Sequence, residues 1–348
     1  MPELPEVEII VNDLRSELIG RKIQDVQTDW PKYFQLPKSE VAFRRCVIGR
    51  VITAVDRRAK NVLIHLEGSY LLLVHQKISG RLVVGNWERT KRLIGSTHSL
   101  WQPITSAAST HQPAGRFIHL VFELDDGRQL ALSDLRKFAK VLCGPSDAIL
   151  NLDEIRRLGP EPLDPRFTFS DFKRLFVGRT GRIKPLLMNP NFIAGIGNIY
   201  SDEILYAARI HPLGRVDQLA EPRLRSLYRS MRAVLRKAIR LRGTGIEGSR
   251  DSPAGYDRVR MVYQQKLCPK GHAVHRIKAS GRSAHFAPWS KSCTAMPARG
   301  VLGGVRWSVC GNQRTESRCH RQSRPGSRSF YRRRSSRYAL PWWLFRFA

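Results

Sequence analysis

The amino terminus combines an amine and two carboxylates in a spacing suited to covalent chemistry on a sugar. Met1 is followed by Pro2, and Glu3 and Glu6 come shortly after. Removal of Met1 would give Pro2 a free secondary amine. Because terminal amines titrate near ~8, part of this amine is unprotonated and nucleophilic at neutral pH. A secondary amine that attacks an anomeric carbon becomes an iminium, which withdraws electrons from neighbouring bonds, and both carboxylates are near enough to move the protons involved.

A second segment, from Ala194 to Pro212, could bind a phosphate. Gly195 and Gly197 allow a tight turn before a helix that is predicted to begin near Ile199. The free amides at that helix start, together with the Asn198 side chain, could hold a phosphate oxygen. An ordinary connection between two helices also favours glycine, so this segment alone leaves both interpretations open.

Taken together, the two segments resemble the formamidopyrimidine-DNA glycosylases, which are bacterial repair enzymes for oxidised purines. The resemblance extends over about residues 2–286 and implies that Pro2 is the nucleophile and that Glu3 assists proton transfer. It also implies that Lys60, in RRAKNVLI, and Asn198 contact phosphates beside the damaged nucleotide. The helix-two-turn-helix of the family corresponds here to the segment that contains Gly195, Gly197 and Tyr200.

Base flipping leaves a gap in the duplex that side chains must fill. The resemblance assigns three residues to this task, and we call them the wedge residues. Arg136 and Phe138, in LSDLRKF, match the family's arginine and phenylalanine, whereas Ile78, in HQKISGRL, stands where the family usually has methionine. Isoleucine is shorter and stiffer, so a weaker wedge is predicted. Core packing is the alternative for Ile78 and Phe138, while Arg136 is expected to face the orphaned cytosine. His119 is assigned to the same DNA-contacting set.

The zinc-binding hairpin that the resemblance implies is incomplete in this chain. The family has two C-x2-C pairs around a hairpin with a basic residue, and Cys268 and Arg282 match the first cysteine and that basic residue. The other three cysteines are missing, and the second pair falls on Ala287 and Ser290. A four-thiolate site cannot be built from this set. The spacing does not recommend a substitute site from the nearby candidates, which are His272, His275, His285 and Cys293. A metal-free hairpin without a cofactor is therefore predicted.

Composition narrows the class of partner. The 348 residues include 60 Lys and Arg against 29 Asp and Glu, which gives a formal net charge of +31. Such an excess favours polyanionic partners, with nucleic acid as the first candidate and an anionic membrane surface as the second. No apolar run approaches the ~20 residues of a membrane span, and the acidic amino terminus does not resemble a signal peptide. Six irregularly spaced cysteines argue against a disulfide framework, so a cytoplasmic protein with reduced thiols is predicted. Association with the nucleoid and a monomeric state are further expectations.

Several elements must position these residues. A helix is predicted from Pro5 to Gly20, because apolar residues recur at helical spacing after a favourable first-turn proline. Short runs of alternating polarity over about residues 22–85 predict strands, and strands resume in RFIHLVFEL and RQLALSDL. Between them, residues 86–114 lack periodicity and are predicted to form a long loop. Beyond about residue 158, helical spacing dominates up to a glycine-rich loop over residues 243–256.

The predicted fold class is α+β. It comprises an amino-terminal β-sandwich with flanking helices over residues 1–155 and a helical domain with the helix-two-turn-helix over residues 156–256. A zinc-finger-like β-hairpin follows over residues 257–286, running from VRMVYQQ through RIKASGRSAHF. Residues 287–348 contain 13 Lys or Arg and one acidic residue, which predicts a disordered basic tail; a translated frameshift would look the same.

The resemblance implies a bifunctional glycosylase and abasic-site lyase acting on double-stranded DNA with oxidised bases such as 8-oxoguanine or formamidopyrimidines. The loop over residues 243–256 is the candidate for closing over the flipped base. One alternative is an enzyme for oxidised pyrimidines like endonuclease VIII, against which Leu4 argues because that branch usually has glycine there. The other is a DNA-binding descendant without catalysis, which the missing cysteines favour and the intact Pro2, Glu3 and Lys60 oppose.

Overall fold

The structure is a computed structural model that describes residues 2–89, 101–104, 117–245, 254–288, 299–302 and 305–308. The chain divides into two units, residues 1–310 and 311–348, and the second lies outside the described residues. All described elements therefore belong to the first unit. No helix among them is both long enough and apolar enough to cross a membrane.

The first helix, α1 (Leu4–Leu18), lies where the sequence predicts it. Glu3 is its N-cap, and the Glu6 side chain accepts a hydrogen bond of 2.9 Å from the Glu3 amide, as in a capping box. Pro5 suits the first turn because the N–H it lacks would have no partner within the helix. The helix stops before Gly20, whose φ of 84° lies in the left-handed region that favours glycine. One face of α1 packs into the core through Val7, Val11, Leu14 and Leu18.

The amino-terminal part forms the predicted β-sandwich. Its elements are β1 (Ile23–Thr28), β2 (Phe34–Leu36), α2 (Glu40–Val47), β3 (Ile52–Arg58), β4 (Asn61–Leu66), β5 (Tyr70–His75), β6 (Gly80–Gly85), β7 (Trp87–Arg89), β8 (Trp101–Pro103), β9 (Ile118–Leu124), β10 (Gln129–Asp134) and β11 (Lys140–Pro145). One sheet has strand order β2-β11-β5-β4-β3 and the other β1-β9-β10-β6. Side chains from both sheets and from α1 share one apolar core, because alternate residues of each strand face inward.

The hairpin of β7 and β8 corrects the prediction of an unstructured loop over residues 86–114. Trp87 and Trp101 are 2 % and 4 % exposed and pack with Ile118, Val121 and Ala131 on one sheet. Two isolated tryptophans in a Ser- and Thr-rich stretch produce no periodicity, yet each buries a large apolar side chain. Residues 90–100 and 105–116 lie outside the described part of the chain.

After β11 the chain becomes helical. The helices are α3 (Ser146–Leu150), α4 (Asp153–Arg156), α5 (Phe169–Arg174), α6 (Ile183–Leu187), α7 (Asn198–Ala207) and α8 (Glu221–Arg240). The short α3 packs on β5 and β11, whereas α5 to α8 surround a second apolar core. The amphipathic α8 contributes Leu224, Leu227, Met231 and Leu235 to this core, at helical spacing. Because α8 contacts both α1 and α7, the helical part meets the sandwich at the amino terminus of the chain.

The carboxy-terminal hairpin is shorter than predicted. Its strands are β12 (His275–Ala279) and β13 (Arg282–Phe286), so residues 259–265 do not belong to it. The backbone amides of residues 261–263 instead donate to the buried Glu203 carboxylate of α7, at 2.7 to 2.9 Å, and are thus unavailable for a strand ladder. The tail holds two further strands, β14 (Arg299–Leu302) and β15 (Val305–Ser308), which the prediction of disorder did not include; residues 309–348 lie outside the described chain.

Candidate active site

The Glu3 carboxylate links the amino terminus to the start of α7. It is 2 % exposed and accepts hydrogen bonds from the backbone amides of Gly197 (2.8 Å), Ile199 (2.9 Å) and Tyr200 (3.2 Å). These donors engage both carboxylate oxygens, at the positive end of a helix dipole. Pro2, the residue before it, is also buried. The two segments that the sequence suggested separately are therefore in direct contact.

Glycine is required where these segments approach each other. At Gly195, which has a φ of 83°, an added Cβ would lie 2.7 Å from the Leu4 Cβ. At Gly197, an added Cβ would lie 2.3 Å from the Glu3 carboxylate carbon. The Leu4 amide also donates to the Gly195 carbonyl at 3.0 Å. The glycines of AGIGN thus serve the close packing of α7 on the amino terminus.

This arrangement corrects one part of the predicted phosphate site. The amides of Gly197, Ile199 and Tyr200 are bonded to Glu3 and are not free to hold a phosphate. Asn198 itself is only partly buried, and its side-chain oxygen has no hydrogen-bond partner among the described residues. The Asn198 side chain is therefore the group at this helix start that is left to bind a ligand, and its NH₂ group is the donor from which a phosphate oxygen would accept.

Glu6 ties the amino terminus to the segment after α8. Its Oε1 accepts from the Tyr200 hydroxyl (2.6 Å) and from the Thr244 amide (2.9 Å) and hydroxyl (3.0 Å). Burial raises the pKa of Glu6 and the Glu3 charge adds to the rise, while the hydrogen bond from Tyr200 opposes it. Glu6 thus fixes where the loop over residues 243–256 begins; residues 246–253 of that loop lie outside the described chain.

Lys60 lies in the turn between β3 and β4 and points into the same site. Its ammonium group donates to the Ile196 carbonyl at 3.1 Å, which places it beside the turn before α7. Burial lowers the pKa of Lys60, the charges of Glu3 and Glu6 oppose that shift, and the charge of Arg282 reinforces it. Residues from the sandwich, the amino terminus and the hairpin therefore share one electrostatic environment.

The exposed Arg282 begins β13, a strand that is bonded to a buried pair of charges, Lys184 of α6 and Asp202 of α7. Asp202 of α7 accepts from the His285 amide (2.9 Å) and from the His285 ring (3.0 Å). Lys184 donates to Asp202 and to the Ser283 carbonyl, both at 2.6 Å. The side chains of Lys184 and Asp202 are fully buried. Lys184 bonds to Ser283 and Asp202 to His285, so both members of the pair hold the hairpin strand that carries Arg282.

The predicted wedge residues lie on two adjacent turns. Ile78 lies between β5 and β6, while Arg136 and Phe138 lie between β10 and β11. Phe138 is 50 % exposed, and the Arg136 guanidinium lies 4.8 Å from its ring centroid. Exposure of this size excludes core packing for Phe138, and Ile78 is partly buried. The structure therefore presents an aromatic ring and a cation together at the surface.

A buried carboxylate joins these two turns. Asp134 accepts from the Ser79 hydroxyl (2.5 Å) and from the amides of Arg136 (3.2 Å) and Ala139 (2.8 Å). Ser79 in turn accepts from the Arg136 amide at 3.1 Å. Asp134 is 0 % exposed and Ser79 6 %. Because Ser79 follows Ile78 directly, this network fixes the spacing between the wedge residues.

The assignment of His119 to the DNA-contacting set is wrong. His119 lies in β9, which is paired on both sides by β1 and β10, and its side chain is 3 % exposed. Its ring nitrogen Nδ1 lies 2.9 Å from the Asp29 carboxylate. A histidine that is enclosed in a sheet and bonded to a buried partner cannot reach a DNA strand, so its role is structural.

A cavity of about 320 Å³ between sandwich and helices is lined by Lys60 and by further residues that the sequence did not suggest. We call it the lysine cavity; it is lined by Lys60, His75, Lys77, Lys140 and Glu154, among others. Burial lowers the pKa of His75 to about 3, and the charges of Lys77 and Lys60 add to the shift. The signal that could have found the cavity is the run HQK at the end of β5, because polar residues at a strand end often line a site.

Within the described part of the chain, the residues around Cys268 do not fit a zinc ion. Cys268 is buried with Val262 and Ala287 in a small apolar cluster, and Ala287 occupies the position of an expected thiolate. Burial raises the pKa of Cys268, but hydrogen bonds involving Tyr206 and nearby backbone amides outweigh it and leave the pKa below its usual value. No three His, Cys, Asp or Glu side chains of the described residues lie close enough together to hold a metal. Cys293 lies outside the described chain.

Two family models match the chain. The formamidopyrimidine-DNA glycosylase N-terminal domain matches residues 1–141, and the H2TH domain of the same family matches residues 158–250. These matches cover the sandwich and the helical part, including the start of α7. Both partners of the contact between Glu3 and α7 therefore lie within matched regions.

Similar proteins agree with these matches over most of the chain. The formamidopyrimidine-DNA glycosylase of Pelotomaculum thermopropionicum is 35 % identical over 294 residues, which is 83 % of this chain and 98 % of that protein. The Lactococcus lactis enzyme, solved with DNA that contains a formamidopyrimidine, has a TM-score of 0.68 and 28 % identity and covers 82 % of this chain and 98 % of its own. A MutM complex with DNA containing carbocyclic 8-oxoguanine has the same TM-score and identity, with coverage of 83 % and 98 %.

Proposed function

Because the chain belongs to the formamidopyrimidine-DNA glycosylase family, we propose that it excises oxidised purines and then cuts the DNA strand through an iminium on Pro2. That the protein is a DNA glycosylase of base excision repair follows from the family itself. The observation that carries the proposal is the Glu3 carboxylate, oriented by three amides of α7 directly after Pro2. Relatives solved with 8-oxoguanine or formamidopyrimidine DNA support oxidised purines as the substrate class.

The reaction begins when the Pro2 nitrogen donates its lone pair to the anomeric carbon of the damaged nucleotide. The bond to the base breaks, its electron pair leaves with the base, and the base takes up a proton. A carboxylate offers about four acceptor positions, and amides occupy three of those of Glu3, so about one remains for proton transfer. Opening of the sugar gives the iminium, which acidifies the adjacent C–H bonds. Loss of these protons expels first the 3′ and then the 5′ phosphate by β- and δ-elimination.

The groups that hold the strand surround this centre. The charge of Lys60 interacts with those of Glu3 and Arg282, and Asn198 is the partly buried amide at the start of α7. They position phosphates and carry no sequence information. Arg136 and Phe138 fill the gap in the duplex from their shared turn, and Ile78 joins them across the Asp134 network. No step of this mechanism involves a metal, because the residues around Cys268 do not fit one.

Borohydride trapping tests the proposal directly. Wild type and Pro2→Gly, which exchanges the secondary amine for a primary one, are incubated with a duplex that contains 8-oxoguanine opposite cytosine, and the iminium is reduced to a stable adduct. A strong adduct in the wild type that is much reduced in Pro2→Gly is the expected result. Absence of an adduct from protein that lacks Met1 and binds the duplex would refute the covalent mechanism and favour a DNA-binding descendant.

A second substrate separates the lesion classes. The same assay with an oxidised pyrimidine in place of 8-oxoguanine should give a smaller yield of base release at equal enzyme concentration. A preference for the pyrimidine would favour activity like that of endonuclease VIII and overturn the assignment to purines, while leaving the role of Pro2 intact. Trapping on a preformed abasic site serves as the reference for total competent enzyme in both arms.

A further inference from the structure

Two cysteines of the sandwich lie in contact, and the proposed mechanism does not use them. Cys46 is in the last turn of α2, and Cys143 is in β11, which lies between β2 and β5. The Cys46 sulfur lies 3.9 Å from the Cys143 carbonyl oxygen, and the two thiols are hydrogen-bonded to each other. Both are free thiols in this structure. The fold thus brings together two sulfur atoms from residues that are 97 positions apart.

The two thiols differ in how easily a solute reaches them. Cys46 is partly buried and packs against the apolar core from outside, so it is the more accessible of the two. Cys143 is 1 % exposed and belongs to that core. Burial raises the pKa of the Cys143 thiol, the charge of Cys46 and the hydrogen bond between the thiols add to the rise, and the charge of Arg50 opposes it. Cys143 is therefore a thiol whose nearest reaction partner is Cys46.

Two anchors hold α2 so that this contact is kept. After the helix, the Arg50 Nε donates to the Cys46 carbonyl at 2.7 Å, and the Arg50 guanidinium lies 3.6 Å from the ring centroid of Tyr70 in β5. Before Cys46, the Phe43 ring stacks on that of Phe34 in β2, with centroids 4.0 Å apart. The sulfur of Cys46 is thus fixed against β11 from both sides.

A bond between the two sulfur atoms would secure the less extensively paired edge of the sheet. At this edge β2 is joined to β11 at two residue positions, whereas β3 at the other edge is joined to β4 at six. The helix α2 follows β2 and packs on β11. A bond from α2 to β11 would close a loop of 97 positions. In the chain-entropy model, a loop of this length gives a disulfide a large stabilising effect, because the unfolded chain loses much of its freedom.

We propose that Cys46 and Cys143 form a redox-active pair that a peroxide oxidises to a reversible disulfide. The Cys46 sulfur attacks one oxygen of hydrogen peroxide, the O–O bond breaks, and the products are a sulfenic acid on Cys46 and one water molecule. The Cys143 sulfur then attacks the Cys46 sulfur. The S–S bond forms as the S–O bond breaks, and the hydroxyl group leaves with the Cys143 proton as a second water molecule. The two thiols lose two electrons, which the peroxide gains, and a dithiol reductant reverses the reaction.

Peptide mapping of the full chain tests this link. Reduced protein is treated with a graded series of hydrogen peroxide concentrations, and the remaining thiols are alkylated in denaturant. Trypsin then releases Cys46 in residues 46–50 and Cys143 in residues 141–156. We expect a species in which these two peptides are joined, and we expect dithiothreitol to remove it. Absence of this species, or links from Cys46 to the other cysteines in equal yield, would overturn the proposal.

Dimedone, which labels sulfenic acids, separates the two steps. In Cys143→Ala the sulfenic acid on Cys46 has no partner thiol, so labelling of residues 46–50 should exceed that of the wild type several-fold. Cys268→Ala is the matched control, because it removes a buried thiol that belongs to a different apolar cluster, and it should be labelled like the wild type. Equal labelling of Cys143→Ala and the wild type would show that Cys143 does not react with the oxidised Cys46.

The melting temperature tests whether the link fits the native fold. Because the thiols are already in contact, the bond should form without displacing α2, and oxidised wild type should melt about 10 °C above the reduced protein. Cys46→Ser, which cannot form the link, should show no rise after the same treatment. A lower melting temperature in the linked protein would show that the bond forms only after α2 leaves β11, and would overturn the proposal. These readouts measure thiols and unfolding, so they do not depend on the proposed function.

Discussion

The buried pair of Lys184 and Asp202 should respond strongly to the isosteric change Asp202→Asn. In the wild type, one carboxylate oxygen accepts from Lys184 and the other from the His285 amide and ring. Asparagine replaces one of these oxygens with an NH₂ group, which can only donate. Either the fully buried ammonium of Lys184 or the His285 amide then faces a donor and loses its partner.

The size of the effect follows from burial. Both side chains of the pair are 0 % exposed, and removing one member of such a pair costs about 3–5 kcal/mol because the other charge remains unpaired. With a shift of ~2–4 °C per kcal/mol for a domain of 150–250 residues, the melting temperature should fall by about 6–20 °C. The stability lost in Asp202→Asn is that of the contact between α7 and β13. Because Arg282 begins β13, it should also lose its position, and binding to duplex DNA should weaken.

Thermal unfolding followed by circular dichroism measures this effect, with Asp153→Asn as the control. Asp153 forms a 2.7 Å ion pair with Arg157, but both side chains are more than 60 % exposed, so its loss should cost less than ~0.5 kcal/mol. The double variant Lys184→Met with Asp202→Leu should recover part of the stability, since no charge is left unpaired. A shift in Asp202→Asn no larger than that of the control would refute the reasoning.

Three other variants or treatments test separate parts of the site. Ser79→Ala removes a buried hydrogen bond worth ~1–2 kcal/mol and should lower excision from duplex DNA about tenfold while sparing cleavage of a single-stranded abasic site; equal losses on both substrates would contradict a wedge role. Burial raises the pKa of Glu6 above its ordinary 4.5, so the folded state holds this proton more tightly than the unfolded state does. The free energy of unfolding of the wild type should therefore fall relative to that of Glu6→Gln as the pH rises from 4.5 through the folded pKa. A difference between the two proteins that does not change with pH would contradict the raised pKa. A chelator, or Cys268→Ala, should leave strand cleavage unchanged, with far less than one zinc per chain by metal analysis, whereas inactivation by the chelator would demonstrate a metal site.

Local patterns predicted the elements that depend on neighbouring residues. The stripe from Val7 to Leu18, ended by Gly20, predicted α1, and alternating polarity predicted the strands of the sandwich. The predicted hairpin over residues 257–286 contains β12 and β13, although it extends further towards the amino terminus than these strands do. In each case the free energy that decides the structure comes from residues close in sequence, so the pattern carries the information.

What the sequence could not predict depends on partners far along the chain. The amides of α7 were expected to bind phosphate because nothing local shows that Glu3, almost two hundred positions earlier, occupies them. His119 was assigned to DNA, yet Asp29 and two neighbouring strands enclose it. His75 and Lys140 line the same cavity because β5 and β11 pair and bring them opposite each other. Trp87 and Trp101 likewise pack against Ile118, Val121 and Ala131 on other strands, and their spacing in the sequence does not predict this contact.

The burial of Pro2 bears on when Met1 can be removed from the growing chain. The proposed nucleophile exists only after the bond between Met1 and Pro2 is cut, yet Pro2 is buried and Glu3 beside it is covered by residues 197–200. These covering residues leave the ribosome almost two hundred residues after the terminus does. At ~5–20 residues per second this interval is roughly ten to forty seconds. An aminopeptidase that acts during this interval meets a terminus that residues 197–200 do not yet cover, whereas any chain that keeps Met1 carries a blocked amine at the proposed nucleophile.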